Sequence, residues 1–235
     1  MLDKYITFGG DVIPAWIASA PKLVRPKRKM KSVQIPGSNR EVVEMEDAYE
    51  PYDQPYTLFI GDGTENSIQA ILDDVAQKLY KTGWQVLTDD YDSETYRLAC
   101  YAGPFDVENR DTRAGKFEVS FHCRPERFLV AGNVEVDVAN GDTLTNPTGN
   151  PAKPLIHIEG SGSGTLTVAG VMMSFTNIGD YLNIDCETED VYRLPAENRN
   201  NRMTGDFPVL KPGNNHVSFT GGITAVKITP KYWRV

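Results

Sequence analysis

The sequence predicts a mainly β protein of two domains with one helix, and three observations support this fold class. Short segments that alternate apolar and polar residues recur along the chain, with Gly or Pro between them, which is typical of strands and turns. One stretch, residues 67–81, repeats its apolar residues at helical spacing. Between residues 130 and 152 the composition shifts to Gly, Asn, Thr and Pro. We interpret this shift as the boundary between domains 1–132 and 133–235.

The first domain contains a series of strand-like segments. They lie at residues 5–8, 31–35, 56–60, 84–87, 95–101 and 116–123. Turn signals such as Gly9-Gly10 and Pro36-Gly37 follow them, and Pro125 ends the last one, because proline cannot donate to a sheet ladder.

The predicted helix follows the third segment. Its apolar face consists of Ile68, Ile71, Leu72, Val75 and Leu79. Asn66 is placed to cap its first turn, and Gly83 lies where a helix would stop.

The second domain has the spacing of a β-sandwich. Residues 155–158 and 165–168 alternate on either side of the run Gly160-Ser-Gly-Ser-Gly164, which predicts a wide hairpin. Further strands are predicted at residues 181–185, 191–194, 217–219 and 223–228. Short strands repeated about every ten residues are typical of sandwiches.

Composition and charge exclude several classes of function. The net charge of −8 over 235 residues argues against general nucleic-acid binding, since no overall positive field offsets phosphate repulsion. We expect no signal peptide and no membrane span. The cysteines Cys100, Cys123 and Cys186 are odd in number and lie in strand-like segments, so we expect free buried thiols and synthesis in a reducing cytoplasm.

Several motifs resemble chemical sites, but the residues around them do not fit those sites. The glycine run 160–164 precedes a strand, whereas a phosphate loop precedes a helix. Residues 89–94 could offer carboxylates to calcium, but Thr95 occupies the slot of the EF-hand glycine, so a solvated turn is favoured. His122, His157 and His216 lack partners at ligand spacing. We therefore predict no catalytic residue, no metal and no cofactor.

Two blocks of opposite charge lie close together in the first domain. The basic block comprises Lys22, Arg25, Lys27, Arg28, Lys29 and Lys31, and the acidic block begins with Glu41, Glu44 and Glu46. The pattern is typical of a solvated basic hairpin with an acidic neighbour. It also fits an arm that docks on the acidic segment of the next subunit. Nucleic-acid binding by the arm is less favoured, because no aromatic residue lies between Lys22 and Lys31.

Near the C-terminus, Gly205-Asp206-Phe207-Pro208 predicts a structural clasp. Glycine permits backbone conformations closed to other residues, aspartate can accept hydrogen bonds from nearby amides, and Phe207 would pack on the sheet.

The order of several motifs resembles the distal tail proteins of long, flexible-tailed phages that infect Gram-positive bacteria. They are the clasp, Leu210-Lys-Pro-Gly-Asn-Asn215, the closing Pro230-Lys-Tyr-Trp-Arg234, the segments 96–100 and 117–128 on either side of Gly103-Pro104, residues 146–149, residues 154–162 and Asn183-Ile-Asp185. Together they cover most of the chain.

The resemblance implies a split-barrel-like first domain, with the helix at 67–81, that forms a homohexameric ring, and a galectin-like β-sandwich as the second domain. It implies a structural, non-enzymatic hub at the virion tail tip that lets DNA pass. The partners it implies are the tail tube protein, a tail-associated tip protein and a receptor-binding protein, without sequence-specific nucleic-acid binding.

Two alternatives remain open at this point. A galectin-like sandwich could be a carbohydrate-binding module for host attachment, with Tyr181 or Trp233 stacking on a sugar. An enzyme on the barrel, for example a flavin enzyme, lacks a phosphate-binding cluster in the sequence.

Overall fold

A computed structural model of the protein describes residues 3–61, 68–108, 114–195 and 197–235. The chain divides into two compact units, of which the first comprises the residues up to Arg127 together with Val235, and the second comprises Phe128–Arg234. The boundary that the sequence indicates, after residue 132, lies five residues further along the chain. That 1–132 and 133–235 fold as independent domains stays a prediction.

The first unit is built on a closed six-stranded barrel. Its strands are β1 (Tyr5–Phe8), β2 (Asp11–Ile17), β5 (Tyr52–Ile60), β6 (Gln85–Asp89), β7 (Asp92–Cys100) and β9 (Gly115–Leu129). The strand order is β5-β2-β1-β6-β7-β9, and the barrel closes because β9 also pairs with β7. A closed barrel leaves no unpaired strand edge in its wall.

Alternating burial fills this barrel. In β5, the residues from Tyr52 to Ile60 alternate between buried and more exposed positions, as expected where successive side chains point into and out of a barrel. Aromatic side chains dominate the interior, with the rings of Phe8, Tyr56 and Tyr101 all packed on Phe121. The mainly β fold class is confirmed.

The helix α1 (Ile68–Leu79) packs against β2. It buries Ile68, Leu72, Val75 and Leu79 on one face, as its periodicity predicts. It ends two residues before the predicted residue 81, and the Lys81 ammonium donates to the backbone oxygen of Gly9 at 2.8 Å. The predicted cap, Asn66, and Ser67 lie outside the described residues.

Two further elements belong to this unit. The strands β3 (Arg28–Gln34) and β4 (Glu41–Tyr49) pair only with each other and form a two-stranded hairpin, which we call the hairpin arm. The short strand β8 (Val107–Glu108) pairs with β9.

The second unit is a set of connected β-strands around its own core. The strands of this set are β10 (Val136–Val138), β11 (Thr143–Asn146), β12 (Leu155–Val168), β13 (Val171–Phe175), β14 (Asp180–Asp185), β15 (Asp190–Tyr192), β16 (Met203–Thr204) and β17 (Gly213–Thr229), while the short strand β18 (Trp233–Arg234) is not part of their sheet. One path runs β10-β17-β12-β13-β16, while β14 pairs with β12 and β15, and β11 pairs with β17. Ile156, Ile158 and Phe175 are buried in its core.

The wide hairpin predicted at residues 160–164 is wrong. Those glycines lie inside the single continuous strand β12, which pairs along most of its length with β17. The predicted strands 217–219 and 223–228 are likewise parts of the one strand β17. The register shifts between Glu159 and Gly164, so the glycines mark a bulge rather than a reversal of the chain.

Candidate assembly surface

The structure brings the two charge blocks together in the hairpin arm. Lys31 lies opposite Glu44 in the strand register. Its ammonium is 3.0 Å from the Glu46 carboxylate, and Arg28 pairs with Asp47 at 2.7 Å. The hydrogen bond from Lys31 lowers the pKa of Glu46. These pairs are solvent-exposed and therefore stabilise little. The geometry is that of a hairpin whose charges are paired within one chain.

The remaining basic residues of the block are not paired in this way. Lys22, Arg25, Lys27 and Lys29 form no ion pair with another described residue. Burial lowers the pKa of Arg127, and the positive charge of the nearby Arg25 lowers it further. Unlike Arg28 and Lys31, these four cations are therefore without an ion pair to the residues described.

The root of the arm is anchored to the barrel. The Gln54 amide nitrogen donates to the Lys22 backbone oxygen at 2.7 Å, and the Glu50 amide donates to the Lys27 backbone oxygen at 2.8 Å. Val24 packs on the barrel core, and Pro26 is buried. By contrast, every residue of β3 is exposed. The arm is therefore fixed at its base and projects at its tip.

A buried polar network lies inside the barrel. The Tyr56 hydroxyl donates to the Asp89 carboxylate at 2.7 Å, and the Arg97 guanidinium approaches the same oxygen at 3.4 Å while donating to the Tyr52 hydroxyl at 3.2 Å. Burial raises the pKa of both tyrosines. Burial alone would lower the pKa of Arg97, but its neighbours Tyr56, Tyr52 and Asp89 raise it.

This network corrects the prediction of a solvated turn at residues 89–94. The turn does join two strands, but Asp89 is buried and accepts hydrogen bonds from the amides of Tyr91 and Asp92. The Asp92 carboxylate accepts from Thr95 and from Arg127. The network is not apparent from the sequence, because Arg97 and Arg127 reach these carboxylates only after the barrel has formed.

The predicted clasp has mixed features. Gly205 has φ +121°, and a Cβ built on it would lie 2.5 Å from the Met172 backbone oxygen. Phe207 is partly buried against the core of its unit, and Pro208 is buried. Asp206 is exposed and makes no hydrogen bond to another described residue. Its predicted bonding to nearby amides is therefore absent, while the role of the motif as a clasp stays a prediction.

The aromatic residues that a sugar site would use are already engaged. The Tyr181 ring is stacked on His157, with ring centroids 5.3 Å apart, and the Arg193 guanidinium lies 5.8 Å from the same ring. The Trp233 indole N–H donates to the Pro151 backbone oxygen at 2.8 Å. His157 itself bonds Asn183 at 2.8 Å. A sugar would have to displace these contacts, so the carbohydrate-binding alternative is not favoured.

Metal and membrane features can be stated for the described residues. No group of three or more His, Cys, Asp or Glu side chains among them is arranged to hold a metal ion. None of their helices is long and apolar enough to cross a membrane. All three cysteines are free thiols, with Cys123 and Cys186 buried and Cys100 partly exposed.

Comparison with solved structures finds this fold in proteins of phages. No protein-family model and no curated protein sequence matches the chain. The crystal structure of Dit from phage SPP1, described as a paradigm of the hub adsorption apparatus in phages that infect Gram-positive bacteria, matches with a TM-score of 0.75 at 15% identity, covering 99% of each chain.

Two baseplate structures share the fold more distantly. A chain of the phage P2 baseplate in its activated conformation with calcium matches with a TM-score of 0.53 at 9% identity, covering 97% of each chain. The baseplate structure with strontium matches with a TM-score of 0.50 at 8% identity, covering 96% of each. The resemblance to distal tail proteins that the sequence indicates is therefore confirmed at the level of the fold, which this chain shares with the SPP1 hub protein Dit.

Proposed function

We propose that the protein is a structural distal tail protein, the hub of a phage tail tip. The observation that carries the proposal is the fold shared with SPP1 Dit, which extends over 99% of both chains. A hub binds its neighbouring proteins and catalyses no reaction, so the proposed role is non-enzymatic. The protein would be located in the tail of the virion.

The first unit is the ring-forming part of this proposal. Six copies would assemble head to tail through one repeated contact, because a single arm and a single acceptor per chain suffice to close a ring. The ring would join the tail tube protein to a tail-associated tip protein, would bind a receptor-binding protein and would let DNA pass. The second unit would be the galectin-like sandwich.

The hairpin arm and the basic segment before it are the contacts that we assign to assembly. The arm projects from an anchored root, and Lys22, Arg25 and Lys27 precede it without ion pairs to other described residues. An acidic surface on the next copy or on an adjoining tail protein would complement them.

The test is the mass of the purified protein in solution, together with electron microscopy of the same sample. We expect a six-subunit particle with a central opening. A particle that stays monomeric at high concentration would contradict the ring, and a closed globular oligomer without an opening would contradict the passage of DNA.

A further inference from the structure

The hairpin arm carries apolar side chains on both faces, and both faces are open to solvent. In the strand register Met30 lies opposite Met45 and Ser32 opposite Val43, which places these residues on one face. Val33 lies opposite Val42 on the other. The exposed fractions are 47% for Met30, 42% for Val43 and 58% for Met45. We call Met30, Val43 and Met45 the methionine face, and Val33 and Val42 the valine face.

The two faces differ in charge. Alternation places Lys31, Glu44 and Glu46 on the valine face, where Lys31 pairs with Glu46 and lies opposite Glu44. On the methionine face Ser32 lies among the apolar residues, and the face ends at Gln34 and Glu41 towards the tip and at the paired Arg28 and Asp47 towards the base. Burying the valine face would desolvate the charged residues directly beside its valines. On the methionine face the charged residues lie at the two ends, so its apolar centre can be buried while they stay in water.

The first unit also carries an exposed apolar patch on the outer wall of its barrel. Trp84 and Val86 are 42% and 44% exposed, and Leu98 lies directly opposite Val86 in the register. We call these three residues the barrel-wall patch. The Arg124 guanidinium lies 5.0 Å from the Trp84 ring, and the His122 ring lies 6.1 Å from it. Exposed tryptophan beside arginine is the composition of a binding hot spot.

We propose that the methionine face of one copy docks on the barrel-wall patch of the next copy, an inference that rests on the proposed ring. Within one chain neither surface covers the other, since the methionine face, Trp84 and Val86 all remain exposed. Two complementary apolar surfaces at different places on one molecule form a head-to-tail contact. Methionine sulfur also packs favourably on aromatic rings.

The size of the face favours a second copy as the occupant. A few side chains of this kind expose on the order of a few hundred Å², well below the roughly 800 Å² per partner of a stable pair. In a ring every subunit gives one arm and receives one, so each subunit is held at two such contacts as well as by the surfaces beside them.

Engineered cysteine pairs test which face docks. In a Cys100→Ser background, which removes the thiol that is not buried, Val43→Cys combined with Val86→Cys should give a ladder of covalent multimers under mild oxidation. The matched control, Val33→Cys with Val86→Cys, should give none. A ladder from the control alone, or from neither pair while the particle keeps its ring mass, would overturn the proposal.

Oxidation footprinting of the unaltered protein gives an independent measurement that needs no variant to fold. Met172 is 61% exposed and Met173 is fully buried, so the chain contains its own fast and slow references. In the assembled particle Met30 and Met45 should oxidise at a rate close to that of Met173. Rates equal to that of Met172 in a verified ring would refute the docking but leave the ring intact. If no ring forms, the proposed function fails together with this inference.

Discussion

Gly160 on β12 and Gly222 on β17 approach so closely that a Cβ built on Gly160 would lie 2.1 Å from the Gly222 backbone oxygen. The approach is equally close from β17, since a Cβ built on Gly222 would lie 1.7 Å from the Ser161 backbone oxygen. The obstructing atoms are backbone, which cannot rotate away as a side chain can. Two long strands therefore bulge at the same place because both carry glycine there.

We predict that Gly222→Ala destabilises the second unit by about 1–3 kcal/mol or more, as overpacking does. The matched control is Gly149→Ala, because nothing lies within 4 Å of a Cβ at that position. Urea unfolding of both variants measures the difference. Equal stabilities would mean that the two strands separate at the bulge at no cost.

We predict that Asp89→Ala destabilises the first unit by about 3–5 kcal/mol, because it leaves the Arg97 charge buried without its closest carboxylate. The control is Asp74→Ala, which breaks the partly exposed i,i+4 pair with Lys78 on the helix and should cost roughly 0.3–0.5 kcal/mol. Chemical denaturation compares the two. A loss for Asp89→Ala no larger than that of the control would show that the network is solvated.

Both buried cysteines make the stability depend on alkaline pH. Burial raises the pKa of Cys123 and of Cys186 from 9.0 to about 12. Between pH 9 and 12 the unfolded chain therefore loses protons that the folded chain keeps, and the free energy of unfolding falls as the pH rises. Below pH 9 this contribution is fully present.

We predict that iodoacetamide at pH 8.5 modifies native Cys123 and Cys186 much more slowly than the unfolded chain, because the reactive species is the thiolate. Mass spectrometry of the alkylated protein identifies the modified residues. Rapid native labelling of either residue would contradict its burial.

For the hairpin arm, we predict that Arg28→Glu weakens assembly, more visibly at low salt where screening is least. The substitution sets a carboxylate against Asp47, so the damage lies within the arm itself. Adding Asp47→Arg should restore the pair and the assembly. Analytical ultracentrifugation at two salt concentrations gives the readout. If the double variant stays impaired, Arg28 contacts the partner directly.

Local patterns predicted much of this fold. The alternation of residues 56–60 and 116–123 identified two barrel strands, and the spacing from Ile68 to Leu79 identified the helix, because periodicity reports which face is buried. Glycine was misleading at residues 160–164. A turn and a bulge have the same local composition, and only Gly221 and Gly222, some sixty residues away, distinguish them.

The candidate assembly surface was less predictable. The two charge blocks were visible, but the acidic block was not recognised as the second strand of the same hairpin, since Glu and Asp are poor strand formers. The Asp89–Arg97 pair was also hard to predict, because the sequence from Asp89 onwards is typical of a polar turn. In the barrel-wall patch Val86 and Leu98 meet through the pairing of β6 with β7, and β9 adds His122 and Arg124 beside Trp84.

The final prediction concerns the clasp. Phe207→Ala should destabilise the second unit by about 2 kcal/mol, below the 3–5 kcal/mol of a fully buried ring, because Phe207 is only partly buried. Asp206→Ala is the matched neighbour and should be nearly neutral, since Asp206 is exposed and makes no hydrogen bond to the residues described. Thermal unfolding measures both variants, and the particle mass should be unchanged because the clasp belongs to the second unit. A Phe207→Ala protein of native stability that no longer binds a tail partner would show that the Phe207 side chain is an exposed contact and not part of a structural clasp.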